Sequence, residues 1–96
     1  MRLIVHPLAQ RELDAALRWS TKHFGAPAAV RLRERFEQAG ELLIREPSIG
    51  TPTVRAARKF PLGQVPYTIV YRVVGDTITV LALAHQRRRP RYWQGR

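Results

Sequence analysis

None of the 96 residues is cysteine, so neither a disulfide nor a thiolate metal site holds this chain together, and a reducing cytoplasm is its expected location. Acidic side chains are also scarce, seven Asp and Glu against seventeen Lys and Arg. Long apolar runs are missing. The opening MRLIVHPLAQ has only Leu3 to Val5 before His6 and Pro7, too short for the hydrophobic stretch of a signal peptide. No run approaches the roughly 20 apolar residues that span a bilayer, so no membrane association is expected. The chain lacks a glycine-rich phosphate loop of either familiar spacing and a histidine pair at metal-ligand spacing, so no metal or cofactor is expected. Ser20 and Ser48 stand in no context that would activate a nucleophile, and read as a helix-surface residue and a turn residue.

What is present is an ordinary hydrophobic share, 45%, in a length that suits a single domain spanning residues 1–96. The net charge of +10 is unevenly spread. Residues 1 to 46 carry eight basic and six acidic side chains, whereas residues 47 to 96 carry nine basic ones and Asp76 alone. Such a field favours acidic or polyanionic partners, and its self-repulsion suggests a tightly bound acidic partner in the cell.

Periodicity divides the chain into an α+β order. Arg2 to Val5 reads as a first strand ended by Pro7. From Leu8 to Phe24, Ala9, Leu13, Ala16, Leu17 and Phe24 recur at helical spacing, with the carboxylates expected on exposed faces, and Gly25 is the stop. Pro27 opens a second helix, marked by Val30, Leu32, Phe36, Ala39, Leu43 and Ile44 and ending at Arg45, so that the two helices form an antiparallel hairpin. EPSIGTP, Glu46 to Pro52, reads as the exit loop. Three strands follow as an antiparallel sheet region: Val54 to Phe60, Pro66 to Val74 and Thr77 to Ala84, the last two joined by a Gly75-Asp76 turn. In the middle strand the period of two puts Tyr67, Ile69, Tyr71 and Val73 on the expected core face.

The candidate functional residues form a basic and aromatic set: Arg55, Arg58, Lys59, Tyr67, Arg72, His85, Arg87, Arg88, Arg89, Arg91, Tyr92 and Trp93. The guanidinium forks of Arg58, Arg72, Arg87, Arg88, Arg89 and Arg91, with the Lys59 ammonium, suit phosphates or acidic side chains, and a metal-free nuclease could use them to hold a phosphate while His85 or a tyrosine moves a proton. The plainer readings are a solvated charge run, a structural histidine and an Arg72 that snorkels at the sheet edge. Tyr92 and Trp93 argue against a loose tail, because two large aromatics there are expected to pack back on the domain. Trp19 and His23, four apart, read either as an interaction face or as a partly buried tryptophan with its neighbour.

The order of elements, with HFGAPAAVRL after the first helix, EPSIG after the second, YTIVYRV in the sheet and VLALAHQRRRPRYW at the end, resembles the RelE/ParE superfamily of bacterial toxins over nearly the whole chain. The resemblance implies the toxin half of a type II toxin-antitoxin module, silenced by a cognate antitoxin. RelE-like members cut mRNA on the ribosome without a metal, and on that branch His85, Arg87, Arg88 and Tyr92 would be the catalytic residues. ParE-like members inhibit DNA gyrase and stabilise plasmids. Where RelE-like nucleases commonly place an arginine after the first tyrosine of the central strand, this chain has Thr68. Phe24-Gly25, Tyr71 to Val73 and His85 to Arg87 look more like ParE, and the resemblance favours a ParE-like gyrase inhibitor with the ribosome-dependent endoribonuclease as the rival.

Overall fold

The computed structural model describes residues 1–96. Strand β1 (Arg2–Val5) leads into helix α1 (Pro7–Phe24), α2 (Ala26–Arg45) and then β2 (Thr51–Pro52), β3 (Ala57–Pro61), β4 (Tyr67–Val74) and β5 (Thr77–His85). His6 ends β1 and caps α1, its Nδ1 accepting the Leu8 N–H at 3.1 Å, while Pro7 occupies the first helical turn, where no N–H is needed. Gly25 alone separates the helices at φ +91°, a left-handed value that glycine tolerates, and its N–H closes α1 on the Thr21 carbonyl. The result is the expected helical hairpin.

The sheet has five strands in the order β1-β5-β4-β3-β2: the expected N-terminal strand joins the expected three-stranded region, and β2 is one strand more than expected. β1 joins it parallel to β5, pairing Arg2 with Thr77 and Val5 with Val80, and the other pairs are antiparallel. Thr51-Pro52, expected in the exit loop, forms a two-residue edge strand against Arg58 and Lys59. The expected third-last strand begins later than its apolar Val54 suggests. Val54–Ala56 is a 3-10 turn with Arg55 and Ala56 at φ +56° and +59°, and β3 starts only at Ala57.

One face of the sheet packs on the hairpin. Ala9, Leu13 and Ala16 of α1, with Leu32, Ala39 and Leu43 of α2, meet Ile69, Tyr71, Ile78, Val80 and Leu83, and Tyr67 and Val73 lie at the margin. The face assigned to β4 from its period of two is therefore the core face. Three apolar positions of the helical stripes are not core: Phe24 is 69% exposed, Val30 54% and Ile44 40%. Phe24 and Val30 flank the interhelical turn at Gly25.

A second, smaller core lies on the opposite face, where Ala57, Val70, Leu81, Ala82 and Trp93 are all buried. It depends on a β-bulge. Val70 pairs with Ala82 but Tyr71 pairs with Val80, so Leu81 is the extra residue, and the side-chain alternation of β5 changes phase there. Ile78 and Val80 face the helices before the bulge and Leu83 does so after it, while Leu81 and Ala82 both enter the second core. His85 consequently shares its side of the sheet with its partner Tyr67.

Tyr71 fastens the loop before β2. Its fully buried hydroxyl donates to the Pro47 carbonyl at 2.8 Å and accepts the Gly50 N–H at 2.9 Å. A Cβ on Gly50 would lie 2.6 Å from that hydroxyl and 2.9 Å from the Lys59 carbonyl, so only glycine fits. Gly50→Ala is expected to lose about 1–3 kcal/mol of stability by overpacking, read as a lower urea midpoint at unchanged slope; a midpoint equal to the parent's would contradict this close approach.

Candidate functional site: a cationic cleft behind the sheet

After β5 the chain turns back across the sheet's second face. Trp93 is the anchor: only 3% of it is exposed, against Ala57, Val70, Leu81 and Ala82. Arg96 makes a forked ion pair with Glu12 of α1, Nη1 to Oε1 at 3.0 Å and Nη2 to Oε2 at 3.2 Å, and also donates to the Leu81 carbonyl at 2.9 Å. Glu12 accepts the Leu83 N–H at 3.1 Å as well. Beyond the end of β1 the edge of β5 has no strand beside it, and this pair satisfies two of its backbone groups. Glu12 was expected on an exposed helix face with the other carboxylates; it is mostly buried because this edge needs an acceptor.

Tyr92 lies half-buried between two guanidinium groups, Arg88 at 4.1 Å and Arg96 at 5.1 Å from its ring centroid. Burial foremost, and then the Glu12 carboxylate, hold its hydroxyl well above the ordinary tyrosine range, against the opposing pull of Arg96 and Arg88. Tyr67 is shifted upward too, by burial. The expected packing of Tyr92 and Trp93 on the body is thus present.

The pinned segment and the sheet enclose a cleft of about 250 Å³ whose walls include Lys59, Thr68, His85, Arg88, Arg89, Arg91 and Tyr92. Lys59 reaches it from β3, opposite Val70; Thr68 comes from β4; His85 ends β5 and the remainder follow it. Arg87 to Arg89 and Arg91 are exposed, and none forms an ion pair, since Arg96–Glu12 is the only salt bridge in the chain. Their charge meets no carboxylate within the fold.

The structure separates five of the sequence candidates from this cleft, Arg55, Arg58, Tyr67, Arg72 and Arg87. Arg58 is paired with Tyr71 and donates through Nη1 to the Ser48 and Gly50 carbonyls at 3.1 and 2.7 Å, so it supports the same loop that Tyr71 holds. Arg72 donates through Nε to the Arg55 carbonyl at 3.0 Å and braces the left-handed 3-10 turn. Arg87 does not line the cleft, but its backbone N–H donates to His85 Nδ1 at 3.0 Å. Since a backbone N–H only donates, Nδ1 holds the lone pair of the neutral ring and the hydrogen sits on Nε2. No group of three or more His, Asp or Glu is placed to hold a metal ion.

Sequence reasoning missed Glu12 and Arg96, whose 84-residue separation leaves no local pattern. It left Trp19 open between two readings. The ring is half exposed, stacks on His23 at 4.2 Å between centroids and meets Phe24 edge-on at 5.5 Å, an uncovered aromatic cluster at the end of α1. The spacing of Trp19 and His23 was the signal; Phe24, taken as core, completes the cluster.

Residues 3–90 match the family described as the ParE toxin of type II toxin-antitoxin system, parDE. A solved structure of the "Chromosomal ParDE TA system from P. aeruginosa" is similar in fold, with a TM-score of 0.79 at 23% identity, covering 88% of this chain and 95% of that chain. No curated protein matches the sequence. No helix is long and apolar enough to cross a membrane.

Two outcomes follow from the pinned segment. Trp93→Ala should cost about 3–5 kcal/mol and speed tryptic cleavage within Arg87 to Arg91, whereas Trp93→Phe should keep the segment protected; equal cleavage of both variants and the parent would show that the ring does not hold it. A tyrosine whose proton is held more tightly in the folded state adds stability at pH below the unfolded value near 10 and loses it as pH rises beyond. Stability should therefore fall above about pH 10 in the parent and less steeply in Tyr92→Phe, compared by chemical denaturation across that range.

Proposed function

Because this chain belongs to the ParE toxin family of type II toxin-antitoxin systems, we propose that it is a growth-inhibiting toxin held silent by a cognate antitoxin, and that it acts in the bacterial cytoplasm by binding DNA gyrase rather than by cutting RNA. The observation that carries the second half is the proton inventory of the cleft. Cleaving RNA without a metal calls for a group that withdraws a proton from the attacking hydroxyl. The free ring nitrogen of neutral His85, Nε2, carries a hydrogen and donates. Tyr92 keeps its proton, no carboxylate lines the cleft, and Thr68 stands where an arginine would support the phosphate. Such a cleft binds an anion better than it transforms one. The exposed Arg87 to Arg89 and Arg91, fixed by Trp93, then serve as a cationic surface for acidic side chains of a protein target.

The rival reading, a ribosome-dependent mRNA endoribonuclease, draws support from the meeting of Lys59, His85, Arg88 and Tyr92 in one cleft. Brief induction in cells with labelled thymidine and methionine separates the two. The gyrase reading predicts early loss of thymidine incorporation while messages stay intact; prompt mRNA cleavage at ribosomes contradicts it. Replacing His85 by alanine should change killing less than about tenfold, whereas loss of a nuclease's proton-transfer group costs about 10²–10⁴-fold in rate.

A further inference from the structure

Ser20, expected on a helix surface, is only 8% exposed and is the one buried side chain that is neither apolar nor aromatic. Its neighbour Thr21 returns its hydroxyl to the Leu17 carbonyl within α1, but the Ser20 hydroxyl forms no hydrogen bond. An unpartnered polar atom sealed inside the fold would be costly, and the chain contains none, so this oxygen is open to its surroundings. It opens on a depression of about 440 Å³ where the helical hairpin meets the loop between β3 and β4.

The walls of this pocket are apolar and held in place. Trp19 and Phe24 of α1, Pro27 and Leu32 of α2, and Val65 and Pro66 of the loop supply them. Trp19 stacks on His23 at 4.2 Å and meets Phe24 edge-on, so its ring is ordered although it is half exposed. Arg35 of α2 donates to the Gln64 side chain, and the Gln86 N–H donates to the Pro66 carbonyl at 2.9 Å, which ties the loop to the helix on one side and to the residue after β5 on the other. A preformed apolar hollow of this volume with a few convergent polar groups is the common form of a small-molecule site, for which about 300–1,000 Å³ is usual.

The polar groups on the walls decide what enters. Arg31, the only Lys, Arg, Asp or Glu among them, forms no ion pair. Tyr67 keeps its proton, because burial holds its hydroxyl above the ordinary tyrosine range, and His85 carries its ring hydrogen on Nε2. Helix α2 starts here, with Pro27 and Ala28 on the wall, no side chain capping it and no acidic residue in its first turn, so the positive end of its dipole is uncompensated. A cationic ligand would find no counter-charge. A phosphate or nucleotide suits the pocket less than a carboxylate, since one guanidinium would face two charges while the apolar walls stayed empty.

We propose that this pocket binds a small planar aromatic monocarboxylate, with its ring against Trp19 and Phe24 and its carboxylate received by Arg31 and the Ser20 hydroxyl. Such a ligand is chemically distinct from the acidic protein surface proposed for the cationic cleft, and its recognition does not depend on the toxin reading. His85 lines both sites, so an occupied pocket abuts the surface that meets the target.

Isothermal titration calorimetry of the whole chain with naphthoate, the neutral naphthamide and the cationic naphthylmethylamine tests the proposal, and nitrogen-15 amide shifts locate the binding. Naphthoate should bind at least about tenfold more tightly than the amide, and the amine should not bind measurably. The shifts should centre on Trp19, Ser20, Phe24 and Arg31. Arg31→Gln should weaken naphthoate about tenfold and leave the amide unchanged, and Ser20→Ala should weaken naphthoate about fivefold. Arg33→Gln, at an arginine that lines a different depression of the hairpin, should change neither. Arg31 is exposed and Ser20→Ala removes one unpartnered oxygen, so folding should survive, as circular dichroism and the thermal midpoint would show; Ser20→Ala decides alone if Arg31→Gln does not fold. Equal affinity for acid and amide, shifts centred on Arg87 to Arg91, unchanged naphthoate affinity in both variants, or no binding of naphthoate at millimolar concentration would each overturn it.

Discussion

The burial of Trp93 against the back of the sheet is the interaction on which the functional surface depends. Without it, residues 86–96 have little to hold them. They form turns rather than a helix or strand, and three hydrogen bonds from Arg96, two to Glu12 and one to the Leu81 carbonyl, with one from the Gln86 N–H to the Pro66 carbonyl, supplement the ring. Ala57, Val70 and Ala82 are small enough to leave room for an indole, and the bulge at Leu81 adds a further apolar side chain to the same face. A segment dense in like charge repels itself, so an apolar anchor on one side and the Glu12 carboxylate on the other keep it close to the sheet. The arginines between the end of β5 and Trp93 are then presented in one place, which favours binding by reducing the order still to be imposed on contact.

The bulge links this anchoring to the position of His85. Simple alternation from Ile78 and Val80 would send Ala84 toward the helices and His85 away from them; the extra residue reverses that. His85 therefore meets Tyr67 edge-on at 5.2 Å and stands where the apolar and cationic depressions join. One irregularity in one strand thus feeds the second core and sets the face on which His85 stands.

Much of this was legible in the sequence where the signal is local. The hairpin follows from three- and four-residue spacing with Gly25 between, and the β4–β5 pair from β-branched runs around Gly75-Asp76, where Gly75 at φ +60° suits a primed turn. What periodicity could not carry is contact between distant parts of the chain. The parallel pairing of β1 with β5, the Glu12–Arg96 fork and the change of phase at Leu81 depend on partners that no window of residues contains. Charge was legible in amount but not in use. Arg58 and Arg72 look like Arg88 and Arg89 in sequence, yet the first two hold backbone carbonyls while the guanidinium groups of the others form no hydrogen bond or ion pair. Phe24 shows the converse: an apolar residue at a core spacing is surface here, 69% exposed as the last residue of α1.

The proposed target can be met directly with purified components. DNA gyrase is titrated with the protein while supercoiling of relaxed plasmid is followed, with the same preparation added in parallel to ribosomes carrying a defined mRNA. The account predicts that supercoiling is lost as the protein approaches the gyrase concentration and that the message stays whole. Unimpaired supercoiling at large molar excess, with cleavage of the ribosome-bound message, would contradict it.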